Sequence, residues 1–174
     1  MKNKIELRKF KMSDLESIME MFPHKEITDA IGLTLSTNPP KITKQFEKKW
    51  VEKVIKDYKR KTPENYILAV IQDGIHIGSI GTHKIDYENE SADIGYWIGK
   101  EYWGNGAATK ATKLFLREIN KKFKLKRITA YAYTFNPASK RVLEKCGFKL
   151  EGIGEKVKKG KTKFYDQYNM AKIQ

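Results

Sequence analysis

The chain has a single cysteine in 174 residues, which excludes an internal disulfide. Cys146 stands just before Gly147 on the apolar side of a helix end, without a base partner nearby, so it reads as a small buried hydrophobe and not as a nucleophile. Histidine is scarce as well. His24, His76 and His83 are scattered without ligand spacing or an accompanying carboxylate cluster, so no metal is expected. Long apolar runs are absent near the start, where Ile5, Leu7 and Phe10 are separated by charges. Neither a signal peptide nor a membrane span is expected, and the expected location is cytoplasmic. Linkers rich in Gly or Ser and internal repeats are also lacking, so residues 1–174 are expected to form one domain with its own core.

Acidic residues are in short supply: 21 face 35 basic ones, for a net charge of +14. Such a balance invites a nucleic-acid reading. Only Arg8, Arg60, Arg117, Arg127 and Arg141 are arginines, however, and the lysines are spread along the whole chain. Readers of bases and phosphates favour arginine forks, whereas lysine on every solvated face is also a proteome-wide habit of heat-adapted organisms. The field still concentrates anions, so it favours a phosphate-bearing ligand and disfavours polyamines.

The pattern of elements is mixed α/β. Ile5 to Phe10 reads as a strand, and Ser13 as the N-cap of a helix that carries Leu15, Ile18, Met19 and Phe22 and stops at Pro23. After Asn38-Pro39-Pro40, Thr43 caps a second helix whose Phe46, Trp50, Val54 and Tyr58 fall four apart, a stripe read as core packing, with lysines opposite. Tyr66–Ile71 and Ile75–Ile85 form a hairpin about Asp73-Gly74. A strand over 92–99, a helix after Gly106, a strand over 127–134, a helix from Pro137 and strands near 148–154 and 163–170 complete the order β-α-α-β-β-β-α-β-α-β-β.

Two segments carry chemistry. Ile94, Tyr96 and Ile98 alternate with Asp93 and Trp97 as in a strand, while Ala107, Ala108, Ala111, Leu114, Phe115 and Phe123 recur at helical spacing. Between them lies Gly104-Asn105-Gly106. A glycine turn opening onto a helix brings backbone N–H groups close to an anion, which makes this a place to hold a phosphate. Further on comes Asn136-Pro137-Ala138-Ser139-Lys140-Arg141-Val142-Leu143-Glu144-Lys145-Cys146-Gly147-Phe148. Asn136 followed by proline is explained as an N-cap with Pro at the first helical position.

Together these segments resemble the GNAT superfamily of N-acetyltransferases, within it the branch of ribosomal-protein N-terminal and spermidine acetyltransferases. There a carboxylate precedes an Ile-Gly-Tyr-Trp-Ile strand, then comes Tyr-Trp-Gly-x-Gly-x-Ala-Thr, met here by Tyr102 to Thr109, then Asn-x-x-Ser-x-x-Val-Leu-Glu-Lys-x-Gly-Phe, met by Asn136 to Phe148. The likeness is strongest over residues 92–155, looser over 4–15 and 66–86, and returns at 160–169; residues 22–62 match nothing nameable. It implies a mixed sheet splayed between its fourth and fifth strands, with acetyl-coenzyme A as cosubstrate in the split and no metal. The implied coenzyme contacts are Ile98, whose backbone N–H would also stabilise an oxyanion, Trp103, Gly104, Asn105, Gly106, Ala107, Ala108, Thr109, Asn136 and Ser139. Asp93 is the implied base and Ser139 the implied donor to the departing thiolate.

The chain departs from the superfamily's pattern in places. Leu143 stands where many members place a proton-donating tyrosine, and a glutamate used as base by the ribosomal-protein enzymes falls near Lys158, with Glu155 as a stand-in. The Glu101 carboxylate is expected to turn outward. Residues 7–22 and the basic helix over 43–61 are expected to wall a cationic acceptor groove. The leading acceptor is a protein or peptide N-terminus, whose α-amine, with pKa near ~8, is neutral often enough for a weak base to suffice. A lysine side chain, polyamine, amino acid or antibiotic stays open, as do a basic nucleic-acid- or ribosome-binding module and a coenzyme-sensing protein without turnover. Monomer and homodimer are equally compatible with the sequence.

Overall fold

A computed structural model describes residues 4–174. Its elements in chain order are β1 (Ile5–Arg8), α1 (Asp14–Met21), α2 (Lys25–Ala30), α3 (Lys44–Asp57), β2 (Ile67–Gln72), β3 (Ile75–Asp86), β4 (Ser91–Ile98), α4 (Ala107–Phe123), β5 (Arg127–Tyr133), α5 (Pro137–Lys145), β6 (Lys149–Lys159) and β7 (Phe164–Ile173). The strands form one seven-stranded sheet in the order β1-β2-β3-β4-β5-β7-β6. Every neighbouring pair is antiparallel except β4 and β5. The hairpin turns where Asp73 and Gly74 both take positive φ, 50° and 89°, as a two-residue turn matching the twist of its strands requires.

The sheet is covered on two faces by separate apolar clusters. Ile80, Ile94, Ile98, Phe115, Ile119, Ile128 and Leu143 join the sheet to α4 and α5. Phe10, Ile18, Val51, Val54, Ala69 and Ile71 join it to α1 and α3. The parity of β4 assigns its side chains: Ile94, Tyr96 and Ile98 go to one face, Asp93 and Trp97 to the other.

Three local expectations are corrected. The Ser13 side chain makes no cap bond. The neighbouring Asp14 does that work, taking the Lys11 N–H at 2.8 Å while Arg8 grips both its oxygens at 2.7 Å. Instead of two helices before β2 there are three, because α2 is added; its six residues include Ile27 and Thr28, weak helix formers, and tertiary burial decides its conformation. Gly32, at φ 78°, ends that segment with the Tyr133 ring lying where a Cβ would be. The two final strands run past the expected limits, to Lys159 and Ile173.

The feature that positions the site is the short parallel seam. Strands β4 and β5 pair only at Ser91–Arg127, Ala92–Ile128 and Asp93–Thr129. Beyond Asp93, β4 stays with β3 to Ile98 and β5 stays with β7 to Tyr133, so the sheet opens into a wedge as expected.

Candidate active site

The edges of the wedge present backbone groups that a closed sheet would have used. Gly99 N–H donates to Ile77 C=O at 2.8 Å, which fixes the alternation along β4. Gly78 and Ile98 are then a non-hydrogen-bonded pair, and the Ile98 N–H and C=O face the wedge. The Ile98 carbonyl accepts from Trp103 Nε1 at 2.7 Å, folding the next turn back beside the opening. The Ile98 N–H stays available.

That turn is the glycine segment. Gly104 and Gly106 take φ of 78° and 77°, and a Cβ on either would meet no protein atom within 4 Å. The segment is exposed, and the N–H groups of Asn105 to Thr109 have no acceptor among the described residues, Lys110 N–H being the first to bond back, to Gly106 C=O at 3.0 Å. Donors without partners, beside open space and at the positive end of the 17-residue α4, fit the pyrophosphate of a coenzyme A. Cys146 Sγ donates to Thr109 C=O at 3.6 Å and burial pushes its thiol pKa up, so it packs α5 on α4 and is not activated.

On the far rim, Asn136 Oδ1 accepts the Ser139 N–H at 3.1 Å, making it the N-cap of α5, and its Nδ2 donates to Ala30 C=O at 3.4 Å. The Asn136 side chain thus ties α5 to α2 and does not line the cavity described below. Ser139 Oγ lies 3.1 Å from Tyr96 Oη. Burial pushes the Tyr96 phenol up to about 12, so it is protonated at neutral pH and can donate. Tyr96 escaped the sequence reading because its alternation with Ile94 and Ile98 made it one more core residue of the strand.

A cavity of about 570 Å³ passes through the wedge, with Tyr96, Ser139 and Leu143 at one side and Asp93, Trp97, Phe22, Ile31, Phe46 and Trp50 at the other. Asp93 is exposed, and Thr129 Oγ1 donates to its Oδ1, leaving Oδ2 for an incoming N–H. His83 stands opposite Asp93 across β3 and β4, and burial lowers its pKa while the Asp93 charge raises it. Leu143 is fully buried, so no phenol replaces the missing tyrosine at that position. Glu155 is exposed on β6 and outside the cavity, so it does not stand in for the missing glutamate. Glu101 is exposed, turned outward as expected.

The groove itself is corrected. Among the described residues no lysine or arginine lines the cavity, whose charged side chains are Glu47 and Asp93. The basic face of α3 points to solvent, while Val51 and Val54 pack in the core and Phe46 and Trp50 wall the cavity, Phe46 being 49% exposed. Amphipathic spacing alone does not separate a residue facing a core from one facing a cleft. Among the described residues no cluster of His, Cys, Asp or Glu could hold a metal ion, and no helix is long and apolar enough to cross a membrane.

Comparison with known proteins follows the same lines. A family model described as an acetyltransferase (GNAT) domain matches residues 4–149. An uncharacterized N-acetyltransferase, p20, of Bacillus licheniformis is 25% identical over 166 residues, covering 95% of this chain and 90% of that protein. A putative ribosomal N-acetyltransferase of Bacillus subtilis is 36% identical over 103 residues, covering 58% of this chain and 56% of that one. The crystal structure of a spermidine N-acetyltransferase from Vibrio cholerae, in complex with CoA and spermine, superposes with a TM-score of 0.84 at 21% identity, over 99% of this chain and 97% of that one.

Proposed function

The chain belongs to the acetyltransferase (GNAT) family, an N-acetyltransferase with acetyl-coenzyme A as cosubstrate, and on that premise we propose that it acetylates the N-terminus of a protein or peptide by direct transfer in a ternary complex. The cosubstrate supplies an acyl group activated as a thioester. The glycine turn, through the N–H groups of Gly104 to Thr109, holds its diphosphate; the Ile98 N–H polarises the acetyl carbonyl, as a preorganised donor at the wedge edge does. Asp93 Oδ2 takes the proton that the amine sheds, directly or through a water. On the opposite side, Ser139 Oγ, backed by the Tyr96 phenol, donates to the departing thiolate. Asn136 positions Ser139 by capping the helix that carries it.

The observation that supports this arrangement is the through-going cavity, which has an acceptor carboxylate on one side of the split sheet and a paired hydroxyl donor on the other. The peptide acceptor is supported by the likeness to a relative named as a putative ribosomal N-acetyltransferase. A small cationic amine is the second reading, favoured by the absence of lysine and arginine from the cavity wall.

Thiol release from acetyl-coenzyme A should be measured against peptides with free and blocked N-termini, lysine, and simple amines. Free N-termini should show the highest kcat/KM, at least tenfold over the amines. Turnover of simple amines above all peptides would overturn the peptide reading and select the second.

A further inference from the structure

Glu47 is 4% exposed, and among the described residues its carboxylate has neither a hydrogen-bond nor an ion-pair partner; what opening it keeps is onto the cavity. It stands in the first turns of α3 between Phe46 and Trp50 and lines the cavity. Burying an isolated carboxylate is costly, and residues of this kind are normally paired. The chain holds 35 lysines and arginines, yet none of the described ones forms an ion pair with this side chain. The cavity's other titratable groups are Asp93 and His83 on the sheet, with Tyr96, Tyr131 and Tyr133 beside them; none brings a fixed positive charge.

We propose that Glu47 is the acceptor anchor: its carboxylate pairs with a second cationic group of the acceptor, apart from the amine that is acetylated, and thereby sets specificity. Burial raises the Glu47 carboxyl above its ordinary value, and a cation seated against it would offset that cost. Phe46 and Trp50 on the same helix, with Phe22 at the end of α1, wall the space in which the apolar stem between the two nitrogens would lie. Glu47 and Asp93 thus divide the work: one reads the far end of the acceptor, the other serves the reacting nitrogen. This rests on the reading that the cavity on the α3 side admits the acceptor, whether peptide or small amine.

The test compares acceptors that differ only in the second charge. Peptide amides Ala-Lys-Ala and Ala-Gln-Ala form one pair, 1,4-diaminobutane and 1-aminobutane the other; each is assayed with wild type, Glu47→Gln and Glu47→Asp. Wild type should prefer the dicationic member of at least one pair about tenfold or more, through KM. In Glu47→Gln that preference should collapse, by about tenfold in kcat/KM for the dication, with kcat and the KM for acetyl-coenzyme A little changed. Glu47→Asp should keep part of it. Thermal unfolding of Glu47→Gln should occur at the same temperature or higher, since a buried unpaired charge has been removed, whereas a merely structural glutamate would leave a less stable variant.

The proposal is overturned if wild type shows no preference in either pair, if the preference survives in Glu47→Gln, or if that variant loses kcat equally for both members. Peptides left untouched while the diamine preference depends on Glu47 would refute the peptide acceptor and leave the anchor standing.

Discussion

The hydroxyls of Ser139 on α5 and Tyr96 on β4 lie 3.1 Å apart on the same side of the cavity, and their pairing sets the direction in which each can act. If Ser139 donates to the leaving thiolate, it needs a hydrogen-bond partner that does not ionise, and a phenol held up to about 12 meets that condition. Ser139→Ala should lower kcat about a hundredfold with little change in the KM for acetyl-coenzyme A, and Tyr96→Phe should lower it less, about tenfold, because the phenol acts through the serine. Steady-state kinetics with saturating acceptor separates the two. Ser139 was recognisable in the sequence because its helix begins with Asn-Pro and resembles a known motif. Tyr96 and Glu47 were not, because a tyrosine in an apolar strand and a glutamate in a lysine-rich helix carry no local sign of the cavity they share.

The glycine turn tests an element by its backbone. Gly106 at φ 77° and Gly74 at φ 89° are both left-handed with open space where a Cβ would stand, but only Gly106 begins the helix beside the wedge. Gly106→Ala and Gly74→Ala should each cost about 1 kcal/mol of stability. Only the first should raise the KM for acetyl-coenzyme A, about tenfold, since its methyl projects into the space assigned to the diphosphate. Helix α1 offers a second test. It is docked on the sheet by Ser17, whose hydroxyl lies 2.6 Å from His76 Nδ1, while His76 Nε2 lies 2.9 Å from Gly78 C=O and must donate to it. Burial favours the neutral ring, in which Nδ1 accepts from the Ser17 hydroxyl.

Burial lowers the His76 pKa, so the unfolded chain takes up this proton near pH ~6.5 and the folded one only at lower pH. The contribution is complete above the unfolded value and is lost as the pH falls towards the folded value. The melting temperature should fall on acidification from pH 7 to 5.5, and His76→Gln should flatten part of that slope; His83, shifted in the same direction, adds to it.

For the whole molecule the net charge of +14 and the cavity wall point opposite ways. A positive field draws in the polyanionic cosubstrate, while the charged side chains lining the cavity are the carboxylates of Glu47 and Asp93. Raising salt from 0.1 M to 1 M shortens the screening distance from about 10 Å to about 3 Å. The KM for acetyl-coenzyme A should then rise severalfold with kcat unchanged, and viscosity-controlled initial rates check this.

Periodicity and turn chemistry in the chain were enough to determine the strands and longer helices, the Asp73-Gly74 hairpin, the caps at Thr43 and Asn136, and the glycine turn, because each is set by residues within a few positions of one another. Tertiary structure alone decided that α2 forms, that Asp14 and not Ser13 closes the start of α1, and that Glu47 faces a cavity free of lysine. Those outcomes depend on which groups meet across the sheet. Net charge is a sum over the chain, whereas the charge of a cleft depends on which side chains the fold turns inward.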